Sequence, residues 1–169
     1  MKKIVVIGGG AAGAKAASKA KRMNSDIMVD LFTQDDKIAF SLCGLPYFIE
    51  GSVESIEKLI IRTPQNFIDN GIQVFLNHKL EKIFPEKNCV LINGNHIFYD
   101  ELILALGASV NVPKITNVNA NNIFTLRSLE SGKKIKDLMK ESKKVLIVGG
   151  GYIAIELTEI LRLVGFAKD

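Results

Sequence analysis

The sequence predicts an α/β fold built on a doubly wound parallel sheet, and three observations support this class. The run Ile4–Ile7 is wholly apolar, as expected of a strand buried on both faces of a parallel sheet. A glycine turn and an alanine-rich segment follow it directly. The same order recurs near the other end of the chain, where Val145–Val148 is predicted to be a buried strand and precedes a second glycine turn. The repeat favours a Rossmann-like unit followed by the start of a second one.

The first glycine turn has the spacing G-x-G-x-x-G, with glycines at positions 8, 10 and 13. Gly8 would permit the tight turn, Gly10 would leave room for a pyrophosphate, and Gly13 would let the helix lie close to the strand. The N-terminus of the following helix, which includes Ala12, offers free N–H groups and a partial positive charge. The alternative is a turn without a ligand, which the position between a strand and a helix disfavours.

The next elements complete a β-α-β unit, with a helix over Ala11–Met23 and a strand over Ile27–Phe32. An acidic residue at the end of such a second strand usually holds a ribose. This chain has Thr33 and Gln34 at that position. A hydroxyl is a weaker ribose ligand than a carboxylate, so the fingerprint departs here from its usual form.

Cys43 lies in a loop that we expect to enter a short helix near Ser41–Leu42. A thiol near a helix N-terminus has its thiolate stabilised by free N–H groups, which makes Cys43 a candidate nucleophile or redox centre. A small buried side chain is the commoner role of a lone cysteine. Cys89 lies in a strand-like segment and is expected to be structural. Two cysteines in such different contexts fit a cytoplasmic protein better than a disulfide scaffold.

Turn and cap signals predict the remaining elements. Thr63 caps a helix whose first residue is Pro64, and Ser128 caps another that ends near Lys140. Asn117–Asn122 reads as part of a connecting loop. The other expected elements are a strand at Ile72–Leu76, an antiparallel meander at about residues 79–98, a buried strand at Leu102–Ala108 and a last helix to about Leu163.

Composition excludes several classes of function. The net charge is +4, but the lysines are spread along the chain, which disfavours a nucleic-acid surface. No apolar run is long enough to span a membrane, and no signal peptide is apparent. His78 and His96 lie far from other ligand types in the sequence, so no metal site is expected.

The segment Phe40–Tyr47, which reads F-x-x-C-G-L-P-Y, resembles the single-cysteine branch of the pyridine nucleotide–disulfide oxidoreductases. That branch includes coenzyme A disulfide reductases, persulfide reductases and NADH oxidases, and this segment looks most like the first two. The chain departs from the branch at Ala39, where a serine is usual, at Thr33, where a glutamate is usual, and at Leu106, where a threonine is usual.

The resemblance implies FAD at the first glycine turn, NAD(P)H at the second, and electron transfer from NAD(P)H through FAD to sulfur at Cys43. It implies a small thiol or disulfide substrate, with coenzyme A as one possibility, and homodimers of the full-length proteins. The FAD contacts it implies are Gly8, Gly10, Ala12, Gly13, Thr33, Gln34, Phe40, Arg62, Ala105 and Gly107. The NAD(P)H contacts are Gly149, Gly151, Ala154 and Glu156, and the substrate contacts are Arg22 and Tyr47.

The domain organisation expected from these motifs is an FAD-binding segment at residues 1–112 and a linker with the start of an NAD(P)-binding domain at residues 113–169. The chain stops at Asp169, before a returning strand or a ribose acid of the second unit, so we expect a truncated or partial form. Two alternatives remain open at this stage: a non-catalytic nucleotide-binding remnant, and a metabolite dehydrogenase that uses NAD alone.

Overall fold

A computed structural model of the chain describes residues 1–114, 116, 121–163 and 165. The chain forms two compact units, Met1–Phe40 with Ile60–Ala108, and Ser41–Leu59 with Ser109–Asp169. The segment that carries Cys43 therefore groups with the later part of the chain rather than with the first glycine turn. The predicted domain boundary at residue 112 stays a prediction.

The described elements follow the expected order, with two short 3₁₀ turns at Ile56–Leu59 and Pro85–Lys87. In chain order they are β1 (Lys3–Ile7), α1 (Ala11–Met23), β2 (Met28–Phe32), α2 (Leu45–Glu50), α3 (Pro64–Ile68), β3 (Gln73–Phe75), β4 (Leu80–Phe84), β5 (Cys89–Ile92), β6 (Asn95–Phe98), β7 (Glu101–Leu104), α4 (Leu129–Met139) and α5 (Tyr152–Leu163).

The first unit is built on a four-stranded parallel sheet with the order β3-β2-β1-β7. Alternate residues of β1 point to opposite faces of this sheet. Val6 packs on one face with Ala17 of α1, and Val5 packs on the other with Val90 of the antiparallel sheet β4-β5-β6. The predicted parallel sheet, the first strand buried on both faces and the meander are confirmed. Both faces of β1 are covered, which explains its uninterrupted apolar sequence.

The strand predicted over Leu102–Ala108 is shorter and more exposed than expected. It ends at Leu104, whose exposed fraction is 49%, and Leu106 is 62% exposed. The reason is topological: β7 lies at an edge of the described sheet and pairs only with β1. An edge strand is covered less completely than a central one with the same apolar sequence.

A buried ion pair lies on the face of the sheet that bears the meander residues. The Nζ atom of Lys3 lies 2.9 Å from Oδ2 of Asp30, whose side chain is 7% exposed. The other carboxylate oxygen, Oδ1, is buried and has no hydrogen-bond partner among the described residues. Removing Lys3 would therefore leave a buried carboxylate without compensation, which is a costly arrangement.

The second unit contains α2, α4 and α5. Ser128 caps α4 as predicted, in a capping box with Ser131 in which each side chain bonds the other residue's backbone N–H. Of the loop predicted at Asn117–Asn122, residues 117–120 lie outside the described residues.

The buried strand predicted at Val145–Val148 is wrong. These residues are not in a strand, and Leu146 and Val148 are 87% and 78% exposed. A parallel strand needs neighbours for its backbone hydrogen bonds, and the described residues of the second unit include no strand that could pair with it.

Candidate functional site

The first glycine turn connects β1 to α1, and two of its glycines are required by close backbone contacts. Gly8 has φ +116°, and a Cβ atom there would lie 2.0 Å from the carbonyl oxygen of Ala105. A Cβ atom on Gly13 would lie 1.8 Å from the carbonyl oxygen of Gly8. Both contacts involve backbone atoms, which cannot move aside as a flexible side chain can. Glycine at these two positions is therefore explained by packing alone.

Gly10 differs from the other two glycines of the motif. A Cβ atom placed on it would meet no heavy atom of the described chain within 4 Å beyond its sequence neighbours. Its φ of −71° is open to any residue, so neither packing nor backbone conformation requires glycine there. The space beside Gly10 is the space that a pyrophosphate would occupy, and a side chain would fill it.

The helix that begins after Gly10 is well suited to an anion. Gly10 is the N-cap of α1 and has no side chain to satisfy the first N–H groups. The first turn, which includes Ala12, contains no acidic residue, and the last turn contains Lys21 and Arg22. The positive end of the helix dipole therefore faces the open space without a competing carboxylate.

The residues at the end of β2 divide into one buried and one exposed side chain. Thr33 is 2% exposed and lies against the turn, with its Oγ1 3.0 Å from a Cβ atom placed on Gly9. That hydroxyl oxygen accepts a hydrogen bond from the backbone N–H of Asp35 at 3.3 Å. Gln34 is exposed. The ribose contacts predicted for these two residues stay predictions, and Gln34 has the more accessible side chain.

The end of β7 meets the glycine turn directly. Ala105 donates its backbone N–H to the carbonyl of Ile7 at 2.8 Å. The Cβ atom of Ala105 lies 3.3 Å from a Cβ atom placed on Gly13. Gly107, two residues further, has φ +70°. The structure thus brings Gly8, Gly13 and Ala105 together at the carboxyl edge of the sheet, where ligands of such folds bind.

The segment before Phe40 carries a backbone feature that the sequence did not indicate. Ala39 has φ +50° and donates its N–H to the carbonyl of Gly9 at 2.8 Å. Phe40 forms an isolated bridge with Ile60, which lies two residues before Arg62 in the chain. Positive φ is uncommon for alanine, and no local turn residue signals it.

The two arginines assigned to ligands lie in the first unit. Arg62 donates from Nη1 to the hydroxyl of Ser18 at 3.3 Å, and its guanidinium carbon lies 5.9 Å from the ring centre of Phe67. Arg22, near the end of α1, is exposed. Each keeps a charged side chain at the surface, and their ligand roles stay predictions.

Cys43 lies in a tight turn of the second unit. The predicted helix start near Ser41–Leu42 is wrong, because α2 begins at Leu45 with Gly44 as its N-cap. The hydroxyl of Ser41 accepts a hydrogen bond from the Gly44 N–H at 3.1 Å, and this bond closes the turn around Cys43. The thiol residue is exposed. Gly44 is also tightly enclosed, since a Cβ atom there would lie 2.4 Å from Cδ2 of Leu59.

The second cysteine and the candidate substrate residue Tyr47 have contrasting environments. Cys89 is 1% exposed in β5, and its thiol lies 3.6 Å from the carbonyl oxygen of Val90, so its predicted structural role is confirmed. Tyr47 is 49% exposed on α2. Cys43 is thus the accessible thiol of the pair.

The second glycine turn is open on every side that the structure describes. Gly149 has φ +128°, and a Cβ atom on Gly149 or Gly151 would meet no described heavy atom within 4 Å beyond its sequence neighbours. α5 follows, with Ala154 and Glu156 partly buried in its first turns. Gly149 has a positive φ, as Gly8 has in the first glycine turn. The second turn differs because no strand in the described part of the chain packs against it.

Exposed ion pairs shift the pKa values of several charged side chains. A hydrogen bond from Lys37, 2.7 Å away, lowers the pKa of Asp36 below its ordinary value. A hydrogen bond from Lys140 does the same for the pKa of Asp137, and one to Glu101 raises the pKa of Lys2. Among the described residues no three His, Cys, Asp or Glu side chains form a group that could hold a metal ion. No helix in the described part of the chain is long and apolar enough to cross a membrane.

The fold and the first turn define the class as a dinucleotide-binding α/β protein. The chain belongs to the pyridine nucleotide-disulphide oxidoreductase family, whose profile matches residues 2–167. This assignment confirms the family resemblance that the motifs indicated.

Three similar proteins illustrate the family. The chain is 38% identical over 163 residues to an NAD(P)H coenzyme A polysulfide/persulfide reductase of Pyrococcus horikoshii, covering 94% of this chain and 36% of that protein. It is 34% identical over 170 residues to a coenzyme A disulfide reductase of Staphylococcus epidermidis, covering 95% and 38%. The solved structure of a water-forming NADH oxidase from Lactobacillus brevis, bound to NADH, matches with a TM-score of 0.93 at 25% identity, covering 98% of this chain and 38% of that one.

These coverages limit what the comparisons say about activity. The chain spans 36% and 38% of the lengths of the two curated relatives. The two reductases are named for coenzyme A-linked sulfur substrates, and the oxidase structure was solved with NADH. The activity, substrates and partners of the whole protein are therefore matters of proposal.

Proposed function

We propose that this chain forms the N-terminal part of an FAD-dependent oxidoreductase that passes electrons from NAD(P)H to Cys43 and from there to a disulfide or persulfide substrate. A peroxide or oxygen substrate is the variant of this proposal that the similarity to NADH oxidases suggests. The single observation that carries the proposal is the open space beside Gly10, because packing explains Gly8 and Gly13 but leaves a glycine at position 10 without a structural reason.

The residues around this space fit the pyrophosphate of FAD. The Gly10 backbone and the first N–H groups of α1 would hold the phosphate oxygens, and no acidic residue in that turn would repel them. Gln34 would reach the adenosine ribose, and Ala105 and Gly107 would border the cofactor on the β7 side. When bound, FAD supplies the acceptance of a hydride and the delivery of electron pairs, chemistry that protein side chains do not provide.

The second turn would hold the pyrophosphate of NAD(P)H. Gly149 has a positive φ in the tight turn that leads into α5, and the space around Gly151 is open. Ala154 is an accepted third residue of the fingerprint. Glu156, two residues further along α5, would lie beside the nicotinamide, as the family resemblance implies.

Cys43 would perform the sulfur chemistry. Its thiolate attacks a substrate disulfide, one thiol leaves, and a mixed disulfide remains on Cys43. Two electrons that originate from NAD(P)H, together with a proton, break this bond, restore the Cys43 thiolate and release the second thiol. The exposure of Cys43 and the burial of Cys89 support this assignment, since a reactive thiol must be accessible.

The substrate is proposed to be a small thiol or disulfide, with coenzyme A as the first candidate. Arg22 is an exposed cation that would contact its phosphates, and Tyr47 is an exposed aromatic residue close to Cys43 in the chain. A homodimeric whole protein and a cytoplasmic location belong to the same proposal.

The test is a visible absorption spectrum of the purified chain after incubation with excess FAD and desalting. A retained flavin band, changed by alkylation of Cys43, is the expected result. A retained band that alkylation leaves unchanged would contradict the role of Cys43. A colourless chain would limit the proposal to a longer protein, and a colourless longer protein would refute it.

A non-catalytic nucleotide-binding remnant is the second candidate. The observation that favours it is the burial of Thr33, whose hydroxyl oxygen accepts a bond from its own loop instead of facing a ribose. Addition of NAD(P)H to the FAD-loaded whole protein distinguishes the two candidates. A remnant would retain FAD, but adding NAD(P)H to the whole protein would not bleach the flavin band.

A further inference from the structure

The helix that follows Cys43 is too short to be stable without contacts from other elements. α2 contains six residues, Leu45–Glu50, and helices of that length are not stable in isolation. Its placement in the second unit must therefore come from the elements packed against it. Both α4 and α5 contact α2, and the contacts from α4 are specific.

The first specific contact is at the C-terminal half of α2. Nζ of Lys136 donates a hydrogen bond to the carbonyl oxygen of Phe48 at 2.6 Å and lies 4.2 Å from the centre of the Phe48 ring. That carbonyl belongs to the last turn, where helix carbonyls have no partner within the helix. A cation at this end also suits the helix dipole. Lys136 is partly buried, and the Phe48 ring is 6% exposed, so this contact is shielded from water.

The second specific contact is at the N-terminal end of α2. Gly132 lies one helical turn before Lys136 and is buried. A Cβ atom on Gly132 would lie 2.7 Å from Cδ2 of Leu45, the first residue of α2. The missing side chain therefore lets the two helices approach closely. One face of α4 thus fixes α2 at its first and fourth residues.

The position of α2 determines the position of Cys43. Gly44 is the N-cap of α2, and its N–H closes the turn onto Ser41 across Cys43. Gly44 also accepts a backbone hydrogen bond from Phe48 at 3.0 Å. Phe48, which Lys136 contacts, is therefore hydrogen-bonded to Gly44, the residue that follows Cys43.

We propose that Lys136 is a positioning residue for Cys43, acting through α2 with Gly132. This inference rests on the proposed redox role of Cys43. It assigns a role in thiol chemistry to α4, which lies about ninety residues beyond Cys43 in the chain.

The experiment compares four chains loaded with FAD: wild type, Lys136→Met, Lys136→Arg and Lys133→Met. Lys136→Met keeps most of the aliphatic stem but removes the donor and the charge, and Lys136→Arg restores both. Lys133→Met makes the same change at an exposed position of the same helix and is the matched control. Each chain is treated with iodoacetamide until mass spectrometry shows complete modification of Cys43, and the change in the flavin band is recorded.

The expected result is a change in the flavin band that is at least about threefold smaller in Lys136→Met, because small displacements strongly weaken geometry-dependent interactions. Lys136→Arg and Lys133→Met should respond like wild type. Hydrogen exchange of the α2 amides should be about tenfold faster in Lys136→Met, because a charge-assisted hydrogen bond is lost. If Lys136→Met does not fold, Gly132→Ala, which displaces Leu45, is measured in its place.

The outcomes separate this inference from the proposed function. No flavin response in FAD-loaded wild type would refute the role of Cys43 in this chain. A wild-type chain that retains no FAD moves the flavin measurement to the longer protein, and in both cases amide exchange still decides whether Lys136 holds α2. A wild-type response that Lys136→Met preserves would overturn the inference, even with faster exchange. Failure of Lys136→Arg to restore the response would also overturn it, because the donor and charge would then not be the cause.

Discussion

Replacing Gly10 with alanine separates ligand binding from folding at the first glycine turn. The new methyl group meets no described atom within 4 Å, and φ at this residue is −71°, so no clash or backbone strain arises. Loss of glycine at an N-cap costs up to about 1 kcal/mol. The reduced freedom of the unfolded chain offsets about 0.4–1 kcal/mol of that cost. The free energy of unfolding should therefore change by less than about 1 kcal/mol.

The same methyl group lies where the pyrophosphate of FAD would bind. Forcing an extra carbon into a filled contact costs about 1–3 kcal/mol, which corresponds to a loss of about 5- to 150-fold in FAD affinity. FAD titration followed by flavin fluorescence measures the affinity, and urea unfolding without cofactor measures the stability. Gly150→Ala, at another position with no described atom within 4 Å, is the control and should leave FAD affinity unchanged. Equal FAD affinity in folded Gly10→Ala and wild type would refute the reasoning.

Three further predictions concern packing, thiol access and buried charge. Gly13→Ala forces a Cβ atom to within 1.8 Å of a backbone carbonyl oxygen and should lower the unfolding free energy by about 3 kcal/mol; an unfolding midpoint in urea equal to that of wild type would contradict this. Iodoacetamide should modify Cys43 in the native chain and both Cys43 and Cys89 in urea, as counted by mass spectrometry, and rapid native labelling of Cys89 would be inconsistent with its 1% exposure. Lys3→Met should cost about 3 kcal/mol because it leaves the Asp30 carboxylate buried and unpaired. Adding Asp30→Asn should recover part of that loss in the same unfolding assay, and no recovery would argue against the ion pair as the cause.

Local signals predicted the elements that depend on neighbouring residues. Thr63 caps α3 and Pro64 is its first residue, because a hydroxyl acceptor and a fixed φ act within one turn of the chain. Asn93 and Gly94 both have positive φ at the turn between β5 and β6, as a tight hairpin requires. The first glycine turn belongs to this group, since Gly8 has the left-handed conformation that its position in the motif predicts.

Predictions that depended on distant neighbours were less accurate. Val145–Val148 has the composition of a buried strand, but burial requires partner strands that the described second unit lacks. Leu104 is 49% exposed at the end of β7, which lies at an edge of the described sheet, and the apolar sequence of the strand does not reveal that position. Thr33 is at the predicted position, but only the folded chain shows that its hydroxyl is buried and bonded within its own loop.

The sequence by itself determined the α/β class, the order of the elements, the position of both glycine turns and the family. These properties follow from hydrophobic periodicity, caps and turn residues, whose physical effects reach only a few residues along the chain. Only the tertiary structure showed which glycines are required by packing and which cysteine is accessible. It also showed that Lys136 donates a hydrogen bond to the helix after Cys43. Those properties depend on contacts between residues far apart in the chain, and local sequence patterns do not predict which distant residues will be in contact.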